Sequence, residues 1–241
     1  NLHKAIGPKR VLNGVTFEVP KGQSLVVIGR SGTGKSVLLK CLLGLERPDS
    51  GTVEVAGLHN PRPHTLAPQV GMLFQGAALF DSLPVWQNVA FRLMRGPGRL
   101  PKAEARALAI EKLARVGLDQ ATADLFPAEL SGGMQKRVGL ARAIAGDPPV
   151  LFFDEPTAGL DPIMAAVINM LIRSIVTELG ATALTITHDM RTLRDVADRV
   201  AMLHEGRFYW QGSADEAMTT DDPVLRQFTE GRTEGPIPTL R

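Results

Sequence analysis

Three groups of residues in this chain have the types and spacing to do chemistry. Gly29, Arg30, Ser31, Gly32, Thr33, Gly34, Lys35 and Ser36 follow the pattern G-x-x-x-x-G-K-[ST] directly after the apolar run Leu25 to Ile28. A strand that ends in glycines and runs into a helix points several backbone N–H groups at one spot, where the helix dipole adds partial positive charge. That spot will hold a phosphate, with Lys35 reaching its terminal groups and the Ser36 hydroxyl placed to ligate a magnesium ion. The second group is Asp154 and Glu155, delivered by the apolar run Val150 to Phe153. Ligands of open α/β sheets bind at the C-terminal ends of the strands, so Asp154 is suited to hold magnesium through its water shell and Glu155 to polarise an attacking water. In the third group Ser131, Gly132 and Gly133 open a helix that continues through Met134 and Gln135, making a second anion site with no lysine of its own. Taken singly, each group also reads as a helix cap or an acidic turn before Pro156.

Positioning these groups requires a sheet with helices packed on it. Leu25 to Ile28, Val70 to Phe74, Val150 to Phe153, Ala183 to Ile186 and Val200 to Leu203 are short, nearly continuous apolar runs separated by helical segments. That is the pattern of a parallel sheet covered on both faces. Val11 to Val19 and Gly51 to Ala56 instead alternate apolar and polar residues, as half-buried antiparallel strands do. Between Gly76 and Gly146 no strand-like run occurs; a helix over Lys102 to Val116, ended by Gly117, and another from near Ser131 make a helical insertion. Arg207 to Gly212 adds a small strand and Ala214 to Thr219 a helix, while the Thr-, Gly- and Pro-rich remainder has too little periodic apolar content to pack on its own. The chain opens at Asn1 in what reads as the end of an edge strand, so a few residues are expected to precede it.

Composition excludes several classes. With 241 residues, 44% of them hydrophobic and 22% charged, the chain can bury a full core. A net charge of +2 without a dense basic cluster argues against a nucleic-acid partner. The single cysteine, Cys41, lies among Leu38, Leu39, Leu42 and Leu43, which fits a small core residue in a reduced compartment and rules out a multi-cysteine zinc module. No uninterrupted apolar stretch approaches the ~20 residues that span a bilayer, and no signal peptide opens the chain, so a soluble protein docking on a membrane partner is expected. His3, His59, His64 and His204 fit no motif and read as surface or loop residues.

Leu130, Ser131, Gly132, Gly133, Met134, Gln135, Lys136 and Arg137 resemble the signature motif of ATP-binding-cassette (ABC) ATPases. In one register the chain also offers Gln75, Asp154 with Glu155, the AGLD segment at 158–161 and His188, so the resemblance covers almost its whole length. It implies a P-loop NTPase fold with an ABC-type nucleotide-binding domain: a mixed core sheet with an antiparallel β subdomain over residues 1–75 and 146–213, a helical subdomain over 76–145, and a C-terminal helix and extended tail over 214–241. It further implies ATP and Mg2+ as ligands and a head-to-tail homodimer. In that dimer Ser131, Gly132, Gly133, Met134 and Gln135 face the γ-phosphate held by the other copy. By the same carry-over Ser36, Gln75 and Asp154 serve the metal, Glu155, His188 and Gln75 are catalytic, and Asp161 sits across the dimer seam. Ile6 stands where many family members stack an aromatic on adenine, which loosens the expected preference for ATP over GTP.

Two further segments resemble MCE-linked lipid transporters, including the bacterial maintenance-of-lipid-asymmetry (Mla) system. They run from Met72 to Leu83 and from Asp222 to Phe228, the latter continuing to Gly231 and Gly235 to Pro238. This implies an ATPase subunit on the cytoplasmic face of a bacterial inner membrane, paired with an integral permease and an MCE lipid-binding protein. The tail from about Asp221 is expected to reach the partner ATPase subunit. An ABC ATPase for an amino acid or metabolite would share the ATP site and differ only in these two segments. A soluble nucleic-acid ATPase would carry a coiled-coil insertion, a zinc module or a second cassette, and a regulator without turnover would lack Glu155 or His188.

Overall fold

The computed structural model describes residues 1–96 and 98–238. It opens with an antiparallel ribbon, β1 (Leu2–Ile6) and β2 (Lys9–Val15), followed by β3 (Ser24–Ile28), whose five residues are all buried. The phosphate-loop segment then leads into α1 (Lys35–Leu42). A hairpin of β4 (Glu54–Val55) and β5 (Leu58–His59) precedes the short α2 (Pro63–Leu66) and β6 (Val70–Leu73). The segment from Gln75 to Gly146 carries α3 (Val85–Val89), α4 (Lys102–Arg115) and α5 (Gly132–Ala143), with no strand among its described residues. Then β7 (Val150–Asp154), α6 (Pro162–Leu179), β8 (Thr182–Ile186), α7 (Met190–Val196), β9 (Arg199–His204) and β10 (Arg207–Ser213) alternate. Two helices, α8 (Ala214–Thr219) and α9 (Pro223–Glu230), follow.

The main sheet runs β10-β9-β3-β8-β7-β6, parallel throughout except for β10, which turns back along β9. Its five parallel strands are the five continuous apolar runs of the sequence. Alternation within each strand divides the core into two halves. Val26, Ile28, Leu151, Phe153 and Met202 belong to the half shared with α3 to α6, whereas Leu25, Val27, Phe152 and Leu203 belong to the half shared with α1, β1 and β2. Burial on both faces is what gives a parallel strand its unbroken apolar reading.

The structure corrects three expectations. The alternating stretch to Val19 ends as a strand at Val15, and Phe17 packs edge-on against Phe208 with ring centroids 5.2 Å apart; Pro20, which has no N–H for a ladder, closes that run. Gly51 to Ala56 shrinks to the two residues of β4, because Ala56 and Gly57 both adopt positive φ and turn the chain straight back into β5. His3 and His204 are partly buried strand residues, not loop residues, while His59 and His64 are exposed. Separately, α6, 18 residues with mean hydropathy 1.5, is long and apolar enough by length and composition to be weighed as a membrane span, although Asn169, Arg173 and Glu178 interrupt it. Here its stripe of Ala165, Ile168, Ile172, Ile175 and Val176 is buried in the core.

The tail also departs from expectation. Asp222 caps α9 by accepting from the Val224 and Leu225 amides, and Gly231 ends it at φ 67°. Val224, Leu225 and Ile237 join the core, and the Gln227 amide holds both backbone groups of Ile237, donating to its carbonyl at 3.0 Å and accepting from its N–H at 2.6 Å. Helical periodicity is absent after Gly231, so the sequence pattern misses packing that single apolar anchors and a buried amide achieve. Thr239 to Arg241 lie outside the described residues.

Candidate functional site

The phosphate loop is built by close approach. At Gly29 the backbone turns at φ 152°, and a Cβ would stand 2.4 Å from the Leu203 carbonyl oxygen; at Gly34, φ 107°, it would stand 2.8 Å from the Val11 side chain. Neither position has room for a side chain. Gly32, by contrast, adopts φ 77° with open space beside it, so the loop's outer curve is free for a ligand. Lys35 is buried although charged, and its Nζ folds back to donate to the carbonyls of Gly29 and Arg30, the latter at 2.9 Å. Among the described residues the backbone N–H groups of Gly32, Gly34, Lys35 and Ser36 meet no protein acceptor. Unpaired amides at the start of α1, a glycine curve and an adjacent ammonium fit a phosphate chain. Burial pushes the Lys35 amine below its usual range, against the pull of Glu155 and Asp154.

Beside this loop β7 delivers Asp154. Burial, then the neighbouring Glu155, raise its carboxyl above the ordinary range, with Lys35 and Lys136 pulling the other way. Among the described residues its carboxylate accepts no protein hydrogen bond, so its lone pairs are available to a cation; together with the hydroxyl of Ser36, exposed in the loop, it offers the oxygen donors that suit Mg2+. Glu155 turns away through a left-handed backbone, φ 45°. His188 Nδ1 donates to its Oε1 at 2.8 Å, and the Thr187 hydroxyl donates to Oε2 at 3.1 Å. A carboxylate only accepts, so this contact fixes the proton on Nδ1. Read along the chain, Glu155 and His188 have separate duties; the fold makes them a pair because β7 and β8 are neighbours.

Gln75 is exposed just beyond β6, and Ile6 is likewise exposed at the end of β1. On α5 the Ser131 hydroxyl caps the helix by accepting from the Met134 amide at 3.3 Å, and Ser131 and Gly132 lie open at its start. Gly133 is buried against Met164, where a Cβ would come within 2.7 Å of the thioether methyl. Met134 packs on the core, and the Gln135 side chain turns inward to donate to the Pro127 carbonyl at 3.0 Å. Of the five signature residues, then, Ser131 and Gly132 are exposed, Met134 and Gln135 half-buried and Gly133 buried. Asp161 caps α6, accepting from the Ile163 and Met164 amides at 2.9 and 3.0 Å.

Sequence reasoning missed a buried polar chain behind these residues. Thr157 meets Thr192 at 3.1 Å, and the Thr192 hydroxyl lies 2.9 Å from Asp189 and 3.1 Å from Asn169, whose amide donates to Asp195 at 2.9 Å. It links the segment between Glu155 and Asp161 to the residue after His188. Nothing in the sequence marks it, because Thr and Asn in helices ordinarily face solvent.

Comparison with known proteins follows the same outline. The ABC transporter family model matches residues 12–158. This chain belongs to the ABC transporter family. It is 40% identical to the chloroplastic protein TRIGALACTOSYLDIACYLGLYCEROL 3 of Arabidopsis thaliana over 98% of this chain and 74% of that protein. It is 37% identical to the intermembrane phospholipid transport system ATP-binding protein MlaF of Escherichia coli, over 96% and 87% respectively. Among solved structures it resembles a dimeric ATP-binding cassette in a post-hydrolysis state bound to ADP and Pi, with TM-score 0.79, 28% identity and coverage of 88% and 95%. The fold is thus that of an ABC-type P-loop NTPase, and this member is an ATPase that uses ATP and Mg2+. Cassettes of this family act in pairs with a membrane permease.

Proposed function

We propose that this ABC ATPase hydrolyses ATP at a composite site and drives lipid movement between membranes. Lys35 and the amides of residues 29–36 hold the phosphates, and Glu155 serves as the base for the attacking water. Ser36, Asp154 and Gln75 hold the magnesium, which when bound neutralises charge on the β- and γ-phosphates. Ser131 and Gly132 of a second copy face the γ-phosphate, with Asp161 at the seam and His188 sensing the γ-phosphate. The observation that carries this reading is the 2.8 Å contact between His188 and Glu155 at the strand ends beside the phosphate loop. Glu155→Gln keeps the shape and removes the base. It should reduce ATP turnover at least a hundredfold while retaining ATP binding, and unchanged turnover would exclude the assignment.

The lipid reading rests on the relatives named for phospholipid transport and for galactolipid, and on the segments 72–83 and 222–238. On this reading the chain sits on the cytoplasmic face of a bacterial inner membrane, with a permease and an MCE-type lipid-binding protein, and within the helical subdomain 76–145 the stretch of about residues 76–128 presses on the permease. A methionine import ATP-binding protein of Mesorhizobium japonicum, 44% identical over 88% of this chain and 59% of that protein, supports the second reading, a small-metabolite importer. Affinity purification from membranes decides between them. Co-purified permease, MCE protein and phospholipid is the expected result; a permease with a periplasmic amino-acid-binding protein and no lipid would reverse it.

A further inference from the structure

We infer that Lys136 is a positioning residue, tying the helix that starts at Ser131 to the carboxylate that activates water in the same chain; this rests on the roles proposed above for Ser131 and Glu155. Lys136 lies on α5, five residues after its cap, and is only 5% exposed. A buried ammonium needs acceptors, and its Nζ finds two main-chain carbonyls from separate loops. It donates to the Gln75 carbonyl after β6 and, at 3.4 Å, to the Glu155 carbonyl after β7. One amine therefore joins three segments of the molecule.

What it helps to hold is strained backbone. The φ of 45° at Glu155 is a left-handed conformation that a residue with a side chain adopts only when its surroundings impose it. The Glu155 N–H donates to the Ile186 carbonyl at 2.8 Å, the carboxylate is held by His188 and Thr187, and on the carbonyl Lys136, at 3.4 Å, joins the Ala158 N–H, which donates at 3.2 Å and is local to the same turn. The helix bearing Lys136 is itself locked to the loop after β6. Arg142 donates to the carbonyls of Ala77 and Ala78, both at positive φ, at 2.5 and 2.6 Å. A Cβ at Gly71 would stand 2.0 Å from the Ala143 carbonyl oxygen, and one at Gly139 2.8 Å from Leu73. With backbones this close, α5 and the loop shift as one body, and Lys136 transmits that shift to Glu155. Events at the start of α5, which faces the other copy's nucleotide, are thereby felt at this chain's own water-activating group.

The test is steady-state ATP hydrolysis by the full chain in its permease complex, comparing Lys136→Met with Glu155→Gln. Methionine matches the length of the stem and removes the donors together with the charge that faces Asp154 and Glu155. We expect kcat to fall about ten- to a hundredfold, as for a modest displacement of a catalytic group, while KM for ATP stays within about twofold. Lys136→Gln, whose donor is too short to span both carbonyls, gives the same split and serves if the methionine variant does not fold. Unchanged kcat, or kcat falling in step with a weaker KM and a lower thermal midpoint, would overturn the inference. The control separates the two claims: an active Glu155→Gln overturns the role of Glu155 itself, whereas an inactive Glu155→Gln beside a fully active Lys136→Met overturns only the role of Lys136.

Discussion

Asp189 shows how one carboxylate beside the site is tuned by its neighbours. Burial pushes its carboxyl up, but the Arg191 amide and the hydroxyls of Thr192 and Thr157 outweigh that and hold it below the usual range. A depressed folded-state value means that the charged form stabilises the fold above the unfolded pKa, and that this contribution is lost only as pH falls through the depressed value. Asp189→Ala also removes the cap of α7, so it should lower unfolding free energy by about 1–2 kcal/mol at pH 7. In urea titrations that deficit should persist down to about pH 4 and shrink below it. A deficit already gone at pH 5 would mean that the hydroxyls do not stabilise the charge. Because Asp189 follows His188 directly, the same change should also loosen the histidine that pairs with Glu155.

At the scale of elements, α4 is pinned to the core by charge. Lys112, 2% exposed, donates to both oxygens of Asp147 at 2.8 and 2.9 Å, and Arg115 meets Glu178 on α6 at 2.9 Å. Asp147 itself holds φ 44° just before β7, so the pair joins the helical segment to the strand that carries Asp154. Removing one partner strands the other. Asp147→Ala leaves the ammonium with Glu111 at 3.4 Å alone and should cost about 2 kcal/mol, whereas Lys112→Met should cost less because no charge remains buried. Chemical denaturation of the two variants checks the order, and the reverse order would show that the pair acts only as packing. The extent of α4 was legible to within one residue, since Gly117 ends its apolar spacing; this ion pair was not, because its members lie 35 residues apart.

For the whole molecule the tail changes the expected behaviour of a truncation. A segment serving only a partner subunit would leave the isolated chain's stability untouched when cut. Here Val224, Leu225 and Ile237 are buried in the chain's own core, and Arg30 of the phosphate loop donates to the Pro238 carbonyl at 2.7 Å. Deleting Asp221 to Arg241 should therefore lower unfolding free energy of the dilute, monomeric chain by about 3 kcal/mol, after the entropy of ordering the tail offsets part of the burial. Calorimetry at low concentration reads this directly. An unchanged midpoint there, with loss confined to dimer formation, would mean that the tail acts only between subunits.

By itself the sequence determined the features whose physics is local. Gly29 and Gly34 mark backbone that admits no side chain, Ser131 and Asp161 mark helix caps, and five unbroken apolar runs mark strands buried on both faces; each is written within a few neighbouring residues. The order of motifs also sufficed to place the chain in its family. Only the tertiary structure decided which of those residues meet. Glu155 reaches His188, 33 residues on, because β7 and β8 lie side by side, and Lys136 reaches Gln75 and Glu155 because α5 packs at backbone distance on β6. Such contacts depend on strand order and on how closely elements approach, and no window of sequence carries either quantity.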